Sequence, residues 1–386
     1  MRHYVISLYS LMDEKTSEMV SGLESVYQHL YTLAMSTPKF TLRELQPTDS
    51  LALSKLLTEF DGDMTTRFLA DPYDAIIHGT ENRTRGVVVE TAGYDGLVGM
   101  GTVRFSNIQF NDMLLPLAFL DGLKVQKEFR GNGLGYQIAS WRIQKAREEF
   151  GDHGVIGTGM LYDNHASHAV AAKWCREFAE SAFEVRFVST LKNKPRTLSG
   201  VTVREIEPDE YEEFTDKQNS FFSEYNLYAP SNPDSIVHAL SVSVEGRKPY
   251  RYLAAVDAQG NLLAGAQSWA RGLLKSDTIN DPPRPLRILN KVLHLLPPDF
   301  TLRDVSVSGI WYEPGQMKVA QFLWEMLRWA CRDQGTILAA GFDIRDPSMN
   351  VVTLKPWNQP RPKITFAIHG PTTMDRDRLL FISGRV

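Results

Sequence analysis

The chain reads as an α/β protein of the α+β kind, with a mixed central sheet, and three observations predict this. Short apolar runs alternate with stretches of helical periodicity along most of its 386 residues. One such run, Leu117 to Val125, passes through a glycine-rich turn directly into a helical stretch, Tyr136–Phe150. Finally, Arg43-Glu44-Leu45-Gln46-Pro47 is echoed by Arg204-Glu205-Ile206-Glu207-Pro208, just after a polar break, where a duplicated domain would begin. A chain of 43.6 kDa exceeds what one hydrophobic core usually serves, so two domains are expected.

The elements follow in order. Residues 1–37 form an expected N-terminal helical extension, because Val20, Leu23, Val26, Leu30 and Leu33 recur at helical intervals. It can pack on the domain, pair with a second copy as a homodimer, or precede the true start, since Met35-Ser36-Thr37-Pro38 looks like an ordinary protein beginning. Residues 38–191 make the first domain. Phe40–Leu45 is a strand, and Thr48-Asp49-Ser50 caps a helix from Leu51 to Phe60. Asp61 to Asn82 is loop and helix of mixed character. Val87–Glu90, Leu97–Phe105 and the run from Leu117 are strands. The central helix turns Leu134, Ile138, Trp141 and Ala146 inward, with Arg142, Lys145, Arg147, Glu148 and Glu149 between them. Gly154–Met160 is a strand, Ala166–Phe178 a helix and Phe183–Val188 a closing strand.

Residues 192–199 are a polar linker, and 200–386 repeat a similar plan. Helices are expected over Glu210–Tyr225, Ser235–Val244 and Gln316–Arg332. Strands are expected at Arg251–Val256, Leu262–Gly272, Leu302–Ile310, Thr336–Phe342, Ile364–Ile368 and Leu379–Ile382. Asn280–Pro298 looks inserted. Trp324, Trp329, Phe322 and Leu327 make an aromatic-rich helix surface, expected to pack in the core.

Composition narrows the function. Apolar residues are 43% and charged residues 23%, which is ordinary for a soluble globular protein. A formal charge of −4 lacks the basic footprint of a nucleic-acid partner. No apolar run reaches the roughly eighteen residues of a membrane span, and the start lacks the order of a secretory signal, so a cytoplasmic protein with no membrane partner is expected. Cys175 and Cys331, far apart and each inside an apparent helix, read as buried free thiols.

The glycine-rich turn is Arg130-Gly131-Asn132-Gly133-Leu134-Gly135. Glycines at a strand-to-helix junction let the main chain approach a ligand closely. The first-turn N–H groups have no intrahelical partners, and the helix dipole favours an anion there. The spacing is neither Gly-x-Gly-x-x-Gly nor a P-loop. It resembles the acetyl-CoA signature of the GCN5-related N-acetyltransferases (GNAT), Gln/Arg-x-x-Gly-x-Gly/Ala, met here by Arg130, Gly133 and Gly135. The resemblance covers roughly Phe40 to Thr190. It implies tandem GNAT domains, the second degenerate, since Tyr312-Glu313-Pro314-Gly315-Gln316-Met317 stands where the signature would recur. The arrangement also resembles the plant hookless-type putative acetyltransferases.

The resemblance implies an N-acetyltransferase that moves an acetyl or other acyl group from acyl-CoA, with acetyl-CoA as co-substrate, to a small-molecule amine or a peptide acceptor. The main chain of Arg130, Gly131, Asn132, Gly133, Leu134 and Gly135 would hold the pyrophosphate. Leu123, Lys124 and Val125 would pair with the pantetheine arm, and Asn164 would meet the cofactor as well as cap a helix. Direct attack by the amine needs a base. Asp121, an acid inside an apolar strand, and Glu90 are the catalytic candidates. Where many family members carry a tyrosine acid seven residues after the asparagine, this chain has Ala171. That departure leaves open a non-catalytic acyl-CoA-binding sensor or interaction protein. His165 and His168 lack a third ligand, so no metal site is expected.

Overall fold

The computed structural model describes residues 39–58, 64–80, 83–191, 193–293, 296–354 and 361–381. The expected N-terminal helix and Met35 lie outside these residues. The chain divides into a small unit, 1–41 with 90–95, and a large one, Leu42–Val89 with Gly96–Val386. In the small unit the Thr91 hydroxyl donates to the Lys39 carbonyl, and the Tyr94 N–H closes a turn onto the Thr91 carbonyl. All that follows concerns the large unit.

Its first half runs β1 (Phe40–Glu44), α1 (Ser50–Thr58), β2 (Met64–Phe68), α2 (Pro72–Ile77), β3 (Arg83–Thr91), β4 (Gly99–Phe110) and β5 (Met113–Val125). It continues with α3 (Leu134–Phe150), β6 (Val155–Leu161), α4 (His165–Ala171) and β7 (Glu177–Ser189). The second half runs β8 (Thr202–Glu205), α5 (Tyr211–Phe221), β9 (Tyr225–Asn226), α6 (Pro233–Ser241), β10 (Tyr250–Val256), β11 (Leu262–Trp269) and β12 (Lys275–Ile279). It ends with α7 (Arg284–Leu293), β13 (Thr301–Leu302), β14 (Asp304–Tyr312), α8 (Met317–Ala330), β15 (Ile337–Asp343), β16 (Lys363–His369) and β17 (Leu379–Leu380).

Twelve strands form one mixed sheet in the order β1-β3-β4-β5-β6-β16-β7-β15-β14-β11-β10-β8. The amphipathic periods explain what covers it. Ile143 and Ala146 of α3 pack on Val103, Ala118 and Leu120 of β4 and β5. In the second half Leu323, Trp324 and Leu327 of α8 pack on Val305, Val307 and Ala264, confirming Trp324 and Leu327 as core. Phe322 and Trp329 are half-buried. Among the described residues no helix is long and apolar enough to cross a membrane.

The echo in the sequence is an echo in space. Arg43 grips Asp49 with two bonds of 2.7 Å, and Asp49 accepts from the Gln46 N–H. Arg204 grips Glu210 with two bonds of 2.6 Å, and Glu210 accepts from the Glu207 N–H. Glu44 pairs with Arg85 on β3, and Glu205 pairs with Arg251 on β10, the equivalent strand. Two bidentate pairs at the same spacing, each tied to a neighbouring strand by a further pair, mark two copies of one plan.

The boundary between those copies is more entangled than a linker at 192–199 suggests. β16, from the second half, lies between β6 and β7, pairing Ile364 with Leu161 and Ile368 with Glu177. β7 pairs in turn along β15, from Ile337↔Ser189 to Asp343↔Phe183. Each half therefore lends its last strand to the other. A fragment ending at residue 199 would expose both flanks of that gap as unpaired edges. We expect it to be insoluble alone and recovered on co-expression with 200–386. A soluble, monomeric fragment would contradict the exchange.

The same pairing corrects several expectations. The helix drawn over Ala166–Phe178 stops at Ala171, because Glu177 and Phe178 are claimed by β16. Cys175 thus sits in a turn and Cys331 at the end of α8; both are free thiols, Cys331 buried and Cys175 half-buried. β2 was hidden in a polar stretch, Met64-Thr65-Thr66-Arg67-Phe68; it exists by pairing with β12, Ser276↔Arg67. Asp49 caps no helix of its own but serves Arg43. The turn Asn111-Asp112 shortens the expected connection before Leu117, with Asn111 at φ 55°.

Candidate active site

β5 and β6 run parallel but pair only from Leu117↔Val155 to Phe119↔Gly157. Two causes part them beyond that point. β5 carries a bulge: Met100 and Thr102 on β4 stand opposite Lys124 and Asp121, so β5 holds one extra residue, with Gly122 at φ 62°. β6 is drawn the other way by its pairing with β16. The gap is a cavity of about 570 Å³, walled by Asp121 to Leu123, Gly159 to Leu161, α3 and α4.

A buried arginine braces the bulge. Arg142 donates to the carbonyls of Asp121 at 2.9 Å, Thr102 at 3.2 Å and Ile138 at 3.3 Å, and the Thr102 hydroxyl donates to the Asp121 carbonyl. Gly101 makes this approach feasible, because a Cβ there would lie 3.1 Å from the Arg142 guanidinium carbon. Burial pushes the Arg142 guanidinium down to about 10, against the pull of the Asp121 charge. The sequence places Arg142 among the polar positions of α3; it belongs instead to the inner face.

The glycine turn stands at the end of β5. A 3₁₀ turn, Lys127–Phe129, leads to Gly131 at φ 82° and Gly133 at φ 76°, the residue before α3. Only glycine adopts these angles without strain, and above both positions there is open space. The turn is held from behind. The Arg130 side chain donates to the Val125 carbonyl, and Asn132 donates to the carbonyls of Phe129 and Arg130. Gly135 is packed close, a Cβ there meeting Val170 of α4 at 3.2 Å. The amides from Gly131 to Gly135 have no acceptor among the described residues, as expected at a helix start, and they face outward. This is a fit for a diphosphate.

The other expected residues fall as follows. Leu123, Lys124 and Val125 are half-buried on the last stretch of β5, and Leu123 lines the cavity. Asn164 does cap α4, accepting from the Ser167 N–H at 3.1 Å, and also lines the cavity. Asp121 lines it with a half-exposed carboxylate: Oδ2 lies 3.2 Å from Arg104 Nη2, and Oδ1 accepts from the Gly122 N–H at 2.7 Å. Glu90 is half-buried near the end of β3 and is not a lining residue of this cavity. Ala171 is buried in the cavity wall, so the family tyrosine position faces the gap with only a methyl group. Tyr136 and Tyr162 are exposed and line no part of it.

Two further cavities adjoin. One of about 230 Å³ lies among Thr66, Thr80, Thr102 and Trp269 and shares Asp121, Gly122 and Arg271 with the first. Another, of about 290 Å³, shares Arg104 with the second and Thr158 with the first. Hydroxyls and amides from both halves line it, including Ser106, Asn107, Gln218, Tyr228 and Ser308, and among its lining residues only Arg104 is charged. Sequence reasoning missed Arg104, although a charge inside the apolar strand Met100–Phe105 was a signal. It also missed Arg271, which has no local signal at all.

In the second half the equivalent gap is shut. β14 and β15 part after Val307↔Ala340, and Gly309 at φ 59° makes the matching bulge. Phe222, Tyr225, Asp346, Ser348 and Phe381 fill the space to about 20 Å³, with the Tyr225 hydroxyl bonded to Asp346. Glu313, where the glycine turn would be, is tied to Lys217 at 2.6 Å.

Residues 53–175 match the acetyltransferase (GNAT) family. The chain carries a GNAT domain. No curated protein matches it by sequence. Among solved structures it is similar to N-myristoyltransferase of Saccharomyces cerevisiae with bound myristoyl-CoA, over 91% of this chain and 89% of that one, at 10% identity and a TM-score of 0.58. It is also similar to the GCN5-related glucosamine N-acetyltransferase region of a fungal multi-domain GH3 β-N-acetylglucosaminidase, over 86% of this chain and 38% of that one, at 15% identity and a TM-score of 0.54. At such identities the shared property is the fold. The tandem GNAT build expected from the sequence is the build found, with the second copy closed.

Proposed function

We propose that this chain is an N-acyltransferase that moves an acyl group from acyl-CoA to a primary amine by direct attack, with the donor held by the first GNAT domain alone. The observation that carries the reading is the row of outward amides from Gly131 to Gly135 beside the open gap between β5 and β6. The diphosphate sits on that turn, the pantetheine arm runs along Leu123 to Val125, and the thioester reaches the bulge at Asp121 and Gly122. The amine enters from the adjoining cavities, passing Arg104. Asp121 takes the proton that the attacking amine must lose. With hydroxyls and amides lining it, and Arg104 its only charge, the larger of the two cavities suits a small polar amine better than a polycation. The donors named in the similar structures run from acetyl transfer to myristoyl-CoA, so the acyl length is set by experiment.

Titration calorimetry with CoA tests the reading. One molecule should bind per chain, since the second gap has no room, and no heat of binding would end the proposal. Ala171 supports a second reading, an acyl-CoA sensor without turnover. Thiol release from acetyl-CoA over a panel of amines separates them: binding without release favours the sensor.

A further inference from the structure

We infer that Arg271, supplied by the closed second half, is the group that stabilises negative charge on the departing thiolate, in place of the proton that the family tyrosine would donate. The inference rests on the acyltransferase reading above and adds to it a catalytic residue and a task for the second half. Arg271 follows β11 and lines both the donor-side cavity and its neighbour. The lining those two cavities share is Asp121, Gly122 and Arg271. If donor and amine arrive from the two sides, the reacting carbon lies at that junction.

The guanidinium is held by its inner edge and open at its outer one. Nε donates to Asp304 at 2.7 Å, and the group lies over the Trp269 ring, 5.6 Å from its centroid. Its terminal Nη groups have no hydrogen-bond acceptor among the described residues. Asp304 is itself buried, so the arm is fixed. Burial opposes the charge, but Asp304, with Asp121 and Asp277, outweighs it and holds the guanidinium above its ordinary value. Arg271 therefore cannot act as an acid; it acts as a fixed charge.

The steps balance without a co-reactant. The amine nitrogen bonds to the carbonyl carbon, and the C=O π pair moves to oxygen. The nitrogen proton passes to Asp121. The oxyanion re-forms the carbonyl, the C–S bond breaks, and its pair stays on sulfur as a thiolate facing Arg271. That thiolate is protonated by solvent on release. Charge placed where charge develops needs no proton transfer in the same step.

The test is the ionisation of the CoA thiol in its complex with the full-length protein, followed by thiolate absorbance against pH. Bound to the parent protein, the thiol should titrate about one to three units below free CoA, as an opposite charge within a few ångströms requires. In Arg271→Gln the shift should vanish, and kcat should fall about 100-fold with the Kd for CoA within threefold. Arg271→Lys should keep part of both. A bound thiol that titrates in the parent protein as in free CoA overturns the inference, whether or not any variant folds; so does a shift that survives in Arg271→Gln. Failure of CoA to bind the parent protein would instead sink the acyltransferase reading.

Discussion

Gly133→Val should weaken CoA binding about 100-fold, or about 2.7 kcal/mol, while the protein stays folded. Two contributions add. Gly133 sits at φ 76°, and a side chain in that region costs about 1–2 kcal/mol, more for a β-branched one. If the backbone yields to relieve that strain, the amides around it turn away from their common focus. If it does not yield, the valine stands in the open space where the diphosphate belongs. Either outcome removes the anion site. The strain is local to an exposed turn, so the thermal midpoint should fall by only a few degrees. Desphospho probes sharpen the result: affinity for pantetheine, which has no diphosphate, should be the same in parent and variant. Unchanged CoA affinity in Gly133→Val would show that this turn does not grip the cofactor.

How far this site was legible in the sequence follows from what each part depends on. The turn is local chemistry, glycines followed by a helix, and Arg130 to Gly135 could be read directly. So could the duplication, because Arg43 and Arg204 make the same six-residue reach to Asp49 and Glu210. The strand exchange could not. Nothing in Lys363–His369 says that it will pair with Val155–Leu161 rather than with its own half. That pairing also cut short the helix after Asn164 and stretched β7. β2 likewise owes its existence to a partner some two hundred residues away. Arg104, Arg142 and Arg271 were invisible as site residues for the same reason: each acts through contacts that only the folded sheet creates. The closing of the second gap had a partial signal in the lost glycines, but its filling by Tyr225 and Phe222 had none.

Asp121→Asn should lower kcat by about 100-fold to 10,000-fold, the range a lost general base covers, and leave the Kd for CoA within threefold. The amide is nearly isosteric. Its oxygen can still accept from the Gly122 N–H, so the bulge, braced by Arg142 through the Asp121 main-chain carbonyl, keeps its shape. What the substitution removes is the acceptor for the amine proton and the charge opposite Arg104. The second loss must be weighed, because breaking a fully buried pair costs about 3–5 kcal/mol. Arg104 is buried, but the Asp121 carboxylate is half exposed, so water replaces part of what is lost and the fold should survive. Arg104→Gln separates the two effects. It breaks the same ion pair and keeps the carboxylate, so it should raise the KM for the amine more than it lowers kcat. Equal kcat defects in the two variants would assign the effect to the ion pair, and turnover in Asp121→Asn within threefold of the parent would remove this residue from proton transfer. Either result would leave water as the base and Asp121 as a strut of the bulge.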